Sequence, residues 1–310
     1  MGKPLRNTEL ETCLAGLEFK NPVILASGIL GYSPKSLQRI AESGAGGIIT
    51  KSIGMKARIG YPNPTVVQAD CGIINALGLP NPGVLAYKKE IRYAKKLTTV
   101  PIIVSVYGYT AEEYAMVAKI ATEAGADAVE LNVSCPHVKE TGSEIGQNLT
   151  LLTQVVRKVK KSTSKPVIVK LSPNVTDITK IAQAAASAGA DILTAVNTVR
   201  AIAIDTETAI PILSNTRGGL SGSAIKPIAL RCVFDIYEKV KTPIIGCGGI
   251  TTWQDAIEFM LAGASAVQIG TVIVQKDHEV FQAINHGIFA YMRKKKYRSI
   301  KEIVGQAHLN

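Results

Sequence analysis

Three groups able to do chemistry follow one another near the middle of the chain. The segment Glu130-Leu-Asn-Val-Ser-Cys-Pro-His137 presents the amide of Asn132, the hydroxyl of Ser134 and the thiol of Cys135 after an apolar, strand-like run. The proline after Cys135 has no N–H and disfavours helical geometry before it, which predicts a strand ending at the thiol. A free cysteine is usually a small buried apolar residue, but near lysines it can ionise partly and act as a base or nucleophile.

Other polar residues end apolar runs in the same way. Lys51 and Lys170 each close such a run, and a lysine is rarely buried without a partner. A structural salt bridge would explain each lysine, whereas two cations beside amides would suit a planar, carbonyl-bearing ligand. Asn75, Asn132 and Asn197 are either turn formers or amides that hold a cyclic amide or imide.

An internal repeat predicts the elements that position these residues. Apolar strands introduced by proline alternate with strands that follow a Gly-Ala turn, and helical periodicity fills the gaps, often after a Ser, Thr or Asp suited to capping. The prolines are Pro22, Pro101, Pro166 and Pro243, and the Gly-Ala turns begin at Gly44, Gly125, Gly189 and Gly263. Eight such units predict an α/β fold, a single (β/α)8 barrel, over an open doubly wound sheet.

Three segments fall outside the repeat. Residues 8–20 have the alternation of a short hairpin, which we expect outside the barrel proper, with Cys13 among its inward-facing positions. Long loops follow the second strand (53–80) and the sixth strand (199–224) and should emerge at one face, where long loops are usually functional. Residues 1–310 are therefore predicted to form one domain.

The barrel prediction brings the strand ends together at one mouth. The residues that should converge there are Ser27, Lys51, Ser105, Asn132, Cys135, Lys170, Asn197, Thr198, Gly248, Gly249, Gly270 and Thr271. The glycines after strands seven and eight lie where barrels commonly hold a phosphate, although a tight turn would explain them too. Cys71, Cys232 and Cys247 are interpreted as ordinary core thiols.

Composition limits the function classes. The formal net charge is +11, but apart from the run Arg293-Lys-Lys-Lys296 the basic residues are spread among acids, which favours a solvated surface over a nucleic-acid stripe. The five cysteines form no CxxC pair, so neither a disulfide framework nor an iron-sulfur site is indicated. No long apolar run or signal-like start is present, which predicts a cytoplasmic protein without membrane contact.

Several motifs together resemble the dihydroorotate dehydrogenase family, class 1. They are Lys51-Ser52, Asn75-Ala-Leu-Gly-Leu-Pro-Asn81, Asn132-Val-Ser-Cys-Pro136, Asn197-Thr198, Gly218-Gly-Leu-Ser-Gly222, Gly248-Gly-Ile250 and Gly270-Thr271. The stretch Pro211-Ile-Leu-Ser-Asn215 before Gly218 is most like the class 1B catalytic subunit. The class 2 enzymes, with serine as base and an amphipathic membrane segment, resemble the chain less.

The resemblance implies a barrel that binds FMN and oxidises dihydroorotate to orotate in pyrimidine (UMP) synthesis. It implies that Cys135 removes the C5 proton while hydride passes from C6 to the flavin N5. The implied flavin-binding residues are Ser27, Lys51, Ser52, Asn132, Lys170, Val196, Gly222, Gly248, Gly249, Gly270 and Thr271. The implied substrate contacts are Lys51, Asn75, Ala76, Leu77, Gly78, Leu79, Asn132, Asn197 and Thr198.

Class 1B also implies a partner subunit that carries FAD and a 2Fe-2S cluster and reduces NAD. We therefore expect a homodimer of this chain within a heterotetramer. Two positions depart from the family pattern: His137 stands where Asn is frequent, and Ser105 ends the third strand where Asn is common at the flavin.

Three alternatives stay open. Ser-Cys-Pro-His also occurs in the flavin domain of dihydropyrimidine dehydrogenase, although the Asn75 loop is typical of dihydroorotate enzymes. A non-enzymatic basic binding module is the distant alternative from another class, and bound flavin would separate the two classes. A flavin-free phosphate-binding lyase or synthase would have no use for Cys135 and both lysines together.

Overall fold

A closed barrel of eight parallel strands forms the centre of the protein. The computed structural model describes residues 9–133 and 143–309. Within them the strands, in chain order, are β1 (Thr12–Leu14), β2 (Leu17–Phe19), β3 (Val23–Leu25), β4 (Gly47–Ile49), β5 (Val66–Ala69), β6 (Gly72–Asn75), β7 (Ile102–Val106), β8 (Ala128–Asn132), β9 (Val167–Leu171), β10 (Ile192–Ala195), β11 (Val199–Ala201), β12 (Ile204–Asp205), β13 (Ile210–Pro211), β14 (Gly218–Ser221), β15 (Ile244–Cys247) and β16 (Ala264–Ile269).

The barrel closes in the order β3-β4-β7-β8-β9-β10-β15-β16, and β16 pairs in parallel with β3. Its strands are buried on both faces because helices cover the outside, which explains their continuous apolar sequences. The predicted (β/α)8 barrel is confirmed, and the open doubly wound sheet is excluded by the β16–β3 pairing.

Helices connect the strands across the outside of the barrel. In the described residues they are α1 (Pro34–Glu42), α2 (Val84–Leu97), α3 (Ala111–Glu123), α4 (Ser143–Gln147), α5 (Leu149–Ser162), α6 (Ile178–Ser187), α7 (Lys226–Lys239), α8 (Trp253–Leu261), α9 (Val272–Lys276) and α10 (Val280–Lys295). Ser33, Thr110, Asp177 and Thr252 cap α1, α3, α6 and α8 by accepting backbone N–H bonds. In this part of the chain no helix is both long and apolar enough to cross a membrane.

The amino-terminal hairpin closes one end of the barrel. Strands β1 and β2 form the predicted hairpin and pair across Ala15-Gly16, where both residues have positive φ, and they bury Leu14, Leu17 and Phe19. These side chains belong to one apolar cluster with an inward residue from every barrel strand: Ile24, Ile49, Ile103, Ala128, Ile168, Ile192, Ile245 and Ala266. The prediction that Cys13 faces inward is wrong: it is exposed, because Thr12 and Leu14 occupy the inward positions of β1.

The two long loops fold into one additional sheet. Strands β5 and β6 come from the first loop, β11 and β14 from the second, and they pair antiparallel in the order β11-β14-β6-β5. Both loops were predicted at the same face but without strands of their own. The sheet fixes Asn75, at the end of β6, directly opposite Gly219 of β14.

Candidate active site

Side chains alternate between the inside and the outside of the barrel along each strand. The next inward-facing residues form a polar layer above the apolar cluster. Residues two positions further along a strand again face inward. Relative to the apolar cluster these are Ala26, Lys51, Ser105, Glu130, Lys170, Thr194, Cys247 and Gln268. The polar layer forms the floor of a cavity at the carboxyl ends of the strands, the usual place for a barrel active site.

Most of the predicted site residues line this one cavity. Those that do are Ser27, Lys51, Ser52, Asn75, Leu77, Gly78, Leu79, Asn132, Lys170, Val196, Asn197, Thr198, Gly222, Gly248, Gly249, Gly270 and Thr271. Ala76 does not line the cavity; its side chain is fully buried with Ile74 and Leu213 under the additional sheet. Cys135 and His137 lie outside the described residues.

Hydrogen bonds join the ends of five barrel strands into one polar chain. Asn197 Nδ2 donates to Asn132 Oδ1 at 3.2 Å, and Asn132 Nδ2 donates to Ser52 Oγ at 3.1 Å. Ser52 Oγ lies 2.8 Å from Ser105 Oγ and 3.4 Å from Ser27 Oγ. The two amides therefore hold each other in fixed orientations at the cavity wall. Ser105, where an Asn was expected, is fully buried and contributes a hydroxyl to this chain.

Lys170 belongs to a buried network at the cavity floor. Its Nζ donates to Gln268 Oε1 at 3.1 Å and lies 3.9 Å from Glu130 Oε1. Burial opposes the charge of Lys170, but a hydrogen bond to Cys247 and the negative charge of the Glu130 carboxylate outweigh burial and raise the pKa of Lys170 above its ordinary value. The lysine is a cation at neutral pH, so the salt-bridge and ligand interpretations both fit: it is paired, and it lines the cavity.

Two of the three cysteines interpreted as ordinary core thiols differ from that expectation: Cys71 is exposed, and Cys247 is more than a core thiol. It is buried, but it lines the cavity beside Lys170. Burial is the main cause that raises the pKa of Cys247 above its ordinary value, which keeps the thiol neutral at neutral pH.

The loop after β6 is held rigidly over one side of the cavity. Asn75 Nδ2 donates to Gly219 O at 3.4 Å, which ties the start of the loop to β14. At its other end, buried Asn81 accepts from the N–H groups of Gly54 (3.3 Å) and Gly83 (2.9 Å) and donates to Tyr107 Oη at 2.8 Å. Asn81 therefore acts as a structural clip for the loop.

The glycine-rich end of the cavity is built by close packing. Gly248 and Gly249 have φ values of 130° and 76°, and a Cβ atom on Gly248 would lie 2.7 Å from Ala229 Cβ. A Cβ on Gly270 would meet nothing closer than Ala26 Cβ at 3.4 Å, an ordinary contact. The neighbouring Thr271 Oγ1 donates to Ser221 Oγ at 2.8 Å. Backbone without side chains is thereby exposed to the cavity at this end.

Three residues at or below the cavity floor were not predicted from the sequence. Glu130, Thr194 and Gln268 are each almost fully buried inside the barrel. Each is a buried polar residue within a largely apolar strand, the same signal that singled out Lys170. Counting two positions from the apolar layer would have placed all three beside that lysine.

A closed barrel with a polar cavity at the carboxyl ends of its strands, floored by a paired lysine and bordered by glycine turns, defines a (β/α)8-barrel enzyme. The chain belongs to the dihydroorotate dehydrogenase family: the family model described as "Dihydroorotate dehydrogenase" matches residues 9–292. The family predicted from the motifs is therefore confirmed.

Similar proteins cover almost the whole chain. The chain is 53% identical over 298 residues (96% of this chain, 99% of the relative) to dihydroorotate dehydrogenase B (NAD(+)), catalytic subunit, of Pyrococcus abyssi. Proteins of the same name from Methanocaldococcus jannaschii and Methanosarcina acetivorans are 49% and 47% identical over 302 and 296 residues, covering 96% and 95% of this chain and 98% and 95% of theirs. These relatives agree with the resemblance to class 1B.

Proposed function

We propose that this chain is the catalytic subunit of an NAD-linked dihydroorotate dehydrogenase, and that residues 1–310 form one FMN-binding barrel domain. The enzyme oxidises dihydroorotate to orotate in pyrimidine synthesis. The observation that carries the proposal is that the Asn132–Asn197 amide pair, Lys170 and the glycine turns all line the same cavity. Family membership over residues 9–292 supports the same reaction.

The residues present fit FMN. At one end of the cavity, the turns at Gly248, Gly249 and Gly270 expose their backbone, and Thr271 adds a hydroxyl group. Such a surface is suited to the phosphate of FMN. Lys170 and Gln268 at the floor can meet the polar edge of a flavin ring with one cation and one amide. When bound, FMN supplies the two-electron acceptor that no amino-acid side chain provides.

The amide pair and the loop after β6 are suited to the substrate. Dihydroorotate has ring N–H and C=O groups and one carboxylate, so it needs donors, acceptors and a positive charge. Asn132 and Asn197 supply amide groups, the backbone of 77–79 supplies further donors, and Lys51 supplies the charge. Rigid attachment of the loop through Asn81 orients the substrate before reaction.

Cys135 is the proposed base for the substrate C5 proton. The side chain itself lies outside the described residues, and the assignment comes from the motif Asn132-Val-Ser-Cys-Pro136. The Asn132 carbonyl oxygen, three residues before the thiol, accepts a hydrogen bond from Tyr114 Oη at 2.9 Å, which anchors the strand from which the thiol continues.

Electrons are proposed to leave through a second subunit with FAD and a 2Fe-2S cluster, in a heterotetramer built on a homodimer of this chain in the cytoplasm. The word "NAD(+)" in the names of the relatives and their description as catalytic subunits support a partner. Three isoleucines are about half exposed: Ile204 in β12, Ile210 in β13 and Ile202 just before β12. They offer an apolar surface for the homodimer.

Flavin content and substrate choice test the proposal. The purified chain should contain FMN, and anaerobic dihydroorotate should bleach its absorbance while 5,6-dihydrouracil, which lacks the carboxylate, should not. Bleaching by dihydrouracil but not by dihydroorotate would favour the dihydropyrimidine alternative. A protein that neither contains nor takes up FMN would contradict the proposal.

A further inference from the structure

The polar layer of the barrel contains the carboxylate of Glu130, which lies below the floor of the cavity. Glu130 is fully buried and does not line the cavity, whereas its partner Lys170 does. Both side chains arise from neighbouring strands, β8 and β9, and their charged atoms are 3.9 Å apart. The two charges therefore form a pair that points from the barrel interior to the cavity floor.

Gln268 lies between the two charges and fixes their arrangement. Its Oε1 accepts from Lys170 Nζ at 3.1 Å, and its Nε2 donates to Glu130 Oε2 at 2.7 Å. The lysine can only donate and the carboxylate can only accept, so the amide has one satisfactory orientation. Thr194 Oγ1 adds a second donor to Glu130 Oε2 at 3.0 Å.

The other carboxylate oxygen has no hydrogen-bond partner among the described residues. Glu130 Oε1 is completely buried and lies on the side of Lys170, so its interaction with the ammonium is electrostatic. A buried carboxylate would be costly if its only role were structural, and an amide of the same shape could accept the bonds from Thr194 and Gln268. The charge of Glu130 is thus the feature that needs an explanation.

We propose that Glu130 is a positioning residue that offsets the charge of Lys170 beneath the flavin and so lowers the reduction potential of the bound cofactor. The inference rests on the proposed function, because it requires FMN above Lys170. Two-electron reduction adds negative charge to the isoalloxazine ring, which the lysine stabilises and the carboxylate opposes. A lower potential favours passing the electrons on to the next acceptor.

The test is the midpoint potential of the holoenzyme at pH 7. Glu130→Gln keeps the shape but removes the negative charge, so the equilibrium constant for flavin reduction should rise about tenfold, which corresponds to about 30 mV for a two-electron couple. Sulfite, whose addition to the ring also leaves negative charge on it, should bind more tightly in the same variant. Thr194→Val is the matched control, because it removes a hydrogen bond to Glu130 without changing the charge. In this variant the equilibrium constant for flavin reduction should change less than twofold.

Several outcomes would decide the matter. A potential and a sulfite affinity in Glu130→Gln equal to those of the parent would overturn the inference while leaving the proposed function intact. Absence of FMN from the parent protein would instead overturn the proposed function. If Glu130→Gln does not fold, the double variant Glu130→Gln/Lys170→Gln should fold, because it leaves no unpaired buried charge; failure of the double variant as well would contradict the charge-balance account.

Discussion

Lys226 Nζ lies 2.7 Å from Asp255 Oδ1 and so joins the first turn of α7 to the first turn of α8. Lys226 Nζ also lies 2.9 Å from Glu258 Oε2 of α8. Helix α7 begins shortly after Gly222, and α8 begins shortly after Gly249, so these ion pairs of Lys226 link two of the glycine turns. Asp255 also forms a capping box with Thr252 and accepts from Thr251 N. The glycine end of the cavity therefore depends on a carboxylate that does not line it.

Asp255→Asn should lower the free energy of unfolding by about 2 kcal/mol at pH 6. Burial favours the neutral acid, but hydrogen bonds from Lys226 and Thr251 outweigh it and lower the pKa of Asp255 from 3.8 to about 2. A lowered folded-state pKa gives stability that is present above about pH 4 and is lost as the pH falls towards 2. The difference between parent and variant, measured by chemical denaturation, should therefore shrink over that range.

The control for that measurement is Asp235, a carboxylate that also forms an ion pair with a basic residue of α7. Arg231 and Asp235 form an ion pair at 3.3 Å with Arg231 largely exposed, so Asp235→Asn should cost at most about 0.5 kcal/mol. Equal effects of the two substitutions would show that the Lys226–Asp255 pair is an ordinary surface interaction.

Two glycines of the cavity should respond differently to alanine. At Gly270 the new Cβ has ordinary contacts with the protein, so Gly270→Ala should fold normally and bind FMN at least tenfold more weakly, because the methyl group projects among cavity residues. At Gly248 the Cβ would clash with Ala229 and φ is positive, so Gly248→Ala should lose stability as well. Flavin titration of the apoprotein and thermal unfolding separate the two effects. Unchanged flavin affinity in Gly270→Ala would remove this turn from the proposed phosphate site.

Asn81→Ala should disturb the substrate loop without displacing the flavin. It leaves the buried N–H groups of Gly54 and Gly83 without their acceptor, which should cost about 2 kcal/mol of stability. KM for dihydroorotate should rise while the FMN content stays that of the parent. A variant with the parent's KM would show that the loop is held by other contacts.

Leu17→Ala tests the hairpin as the closure of the barrel. Leu17 packs with one residue from every barrel strand, so the cavity left by the substitution should cost about 2–4 kcal/mol. Cys13→Ala, on the exposed side of the same hairpin, should cost almost nothing. A small effect of Leu17→Ala in denaturant unfolding would mean that the hairpin is a peripheral addition.

Cys135→Ala should abolish catalysis while preserving the cofactor site. Loss of a general base typically lowers turnover by about 10²–10⁴-fold, and the glycine turns and Lys170, which fit FMN, come from other strand ends. Steady-state turnover and the flavin spectrum should therefore respond separately. Turnover close to that of the parent, with the exposed Cys71→Ala as control, would return Cys135 to the class of structural thiols.

The repeat predicted the barrel well because each unit carries local signals that act independently. Proline before a strand, Gly-Ala after a helix and a capping Ser33 or Thr252 each report on a few residues only. The additional sheet was not predictable in this way, because its two central strands, β6 and β14, pair across 143 residues from Asn75 to Gly218 and no local signal in either loop reports that pairing.

The residues of the candidate site also differ in whether local sequence could predict them. Residues that end strands, such as Lys170 and Asn132, were found because polarity at the end of an apolar run is visible locally. Glu130 stands two residues before Asn132, but its role was not predictable because its partners Gln268 and Lys170 are brought to it only by folding of the barrel. The outward position of Cys13 depended on the register of one short strand, where a shift of one residue reverses every side chain.

The most direct measurement is an anaerobic single turnover of the purified chain with dihydroorotate. We predict that one equivalent of orotate forms for each equivalent of bound FMN as the flavin absorbance is lost, and that no NADH forms when NAD is added without the partner subunit. Bound FMN that keeps its absorbance in excess dihydroorotate, with no orotate released, would contradict the account.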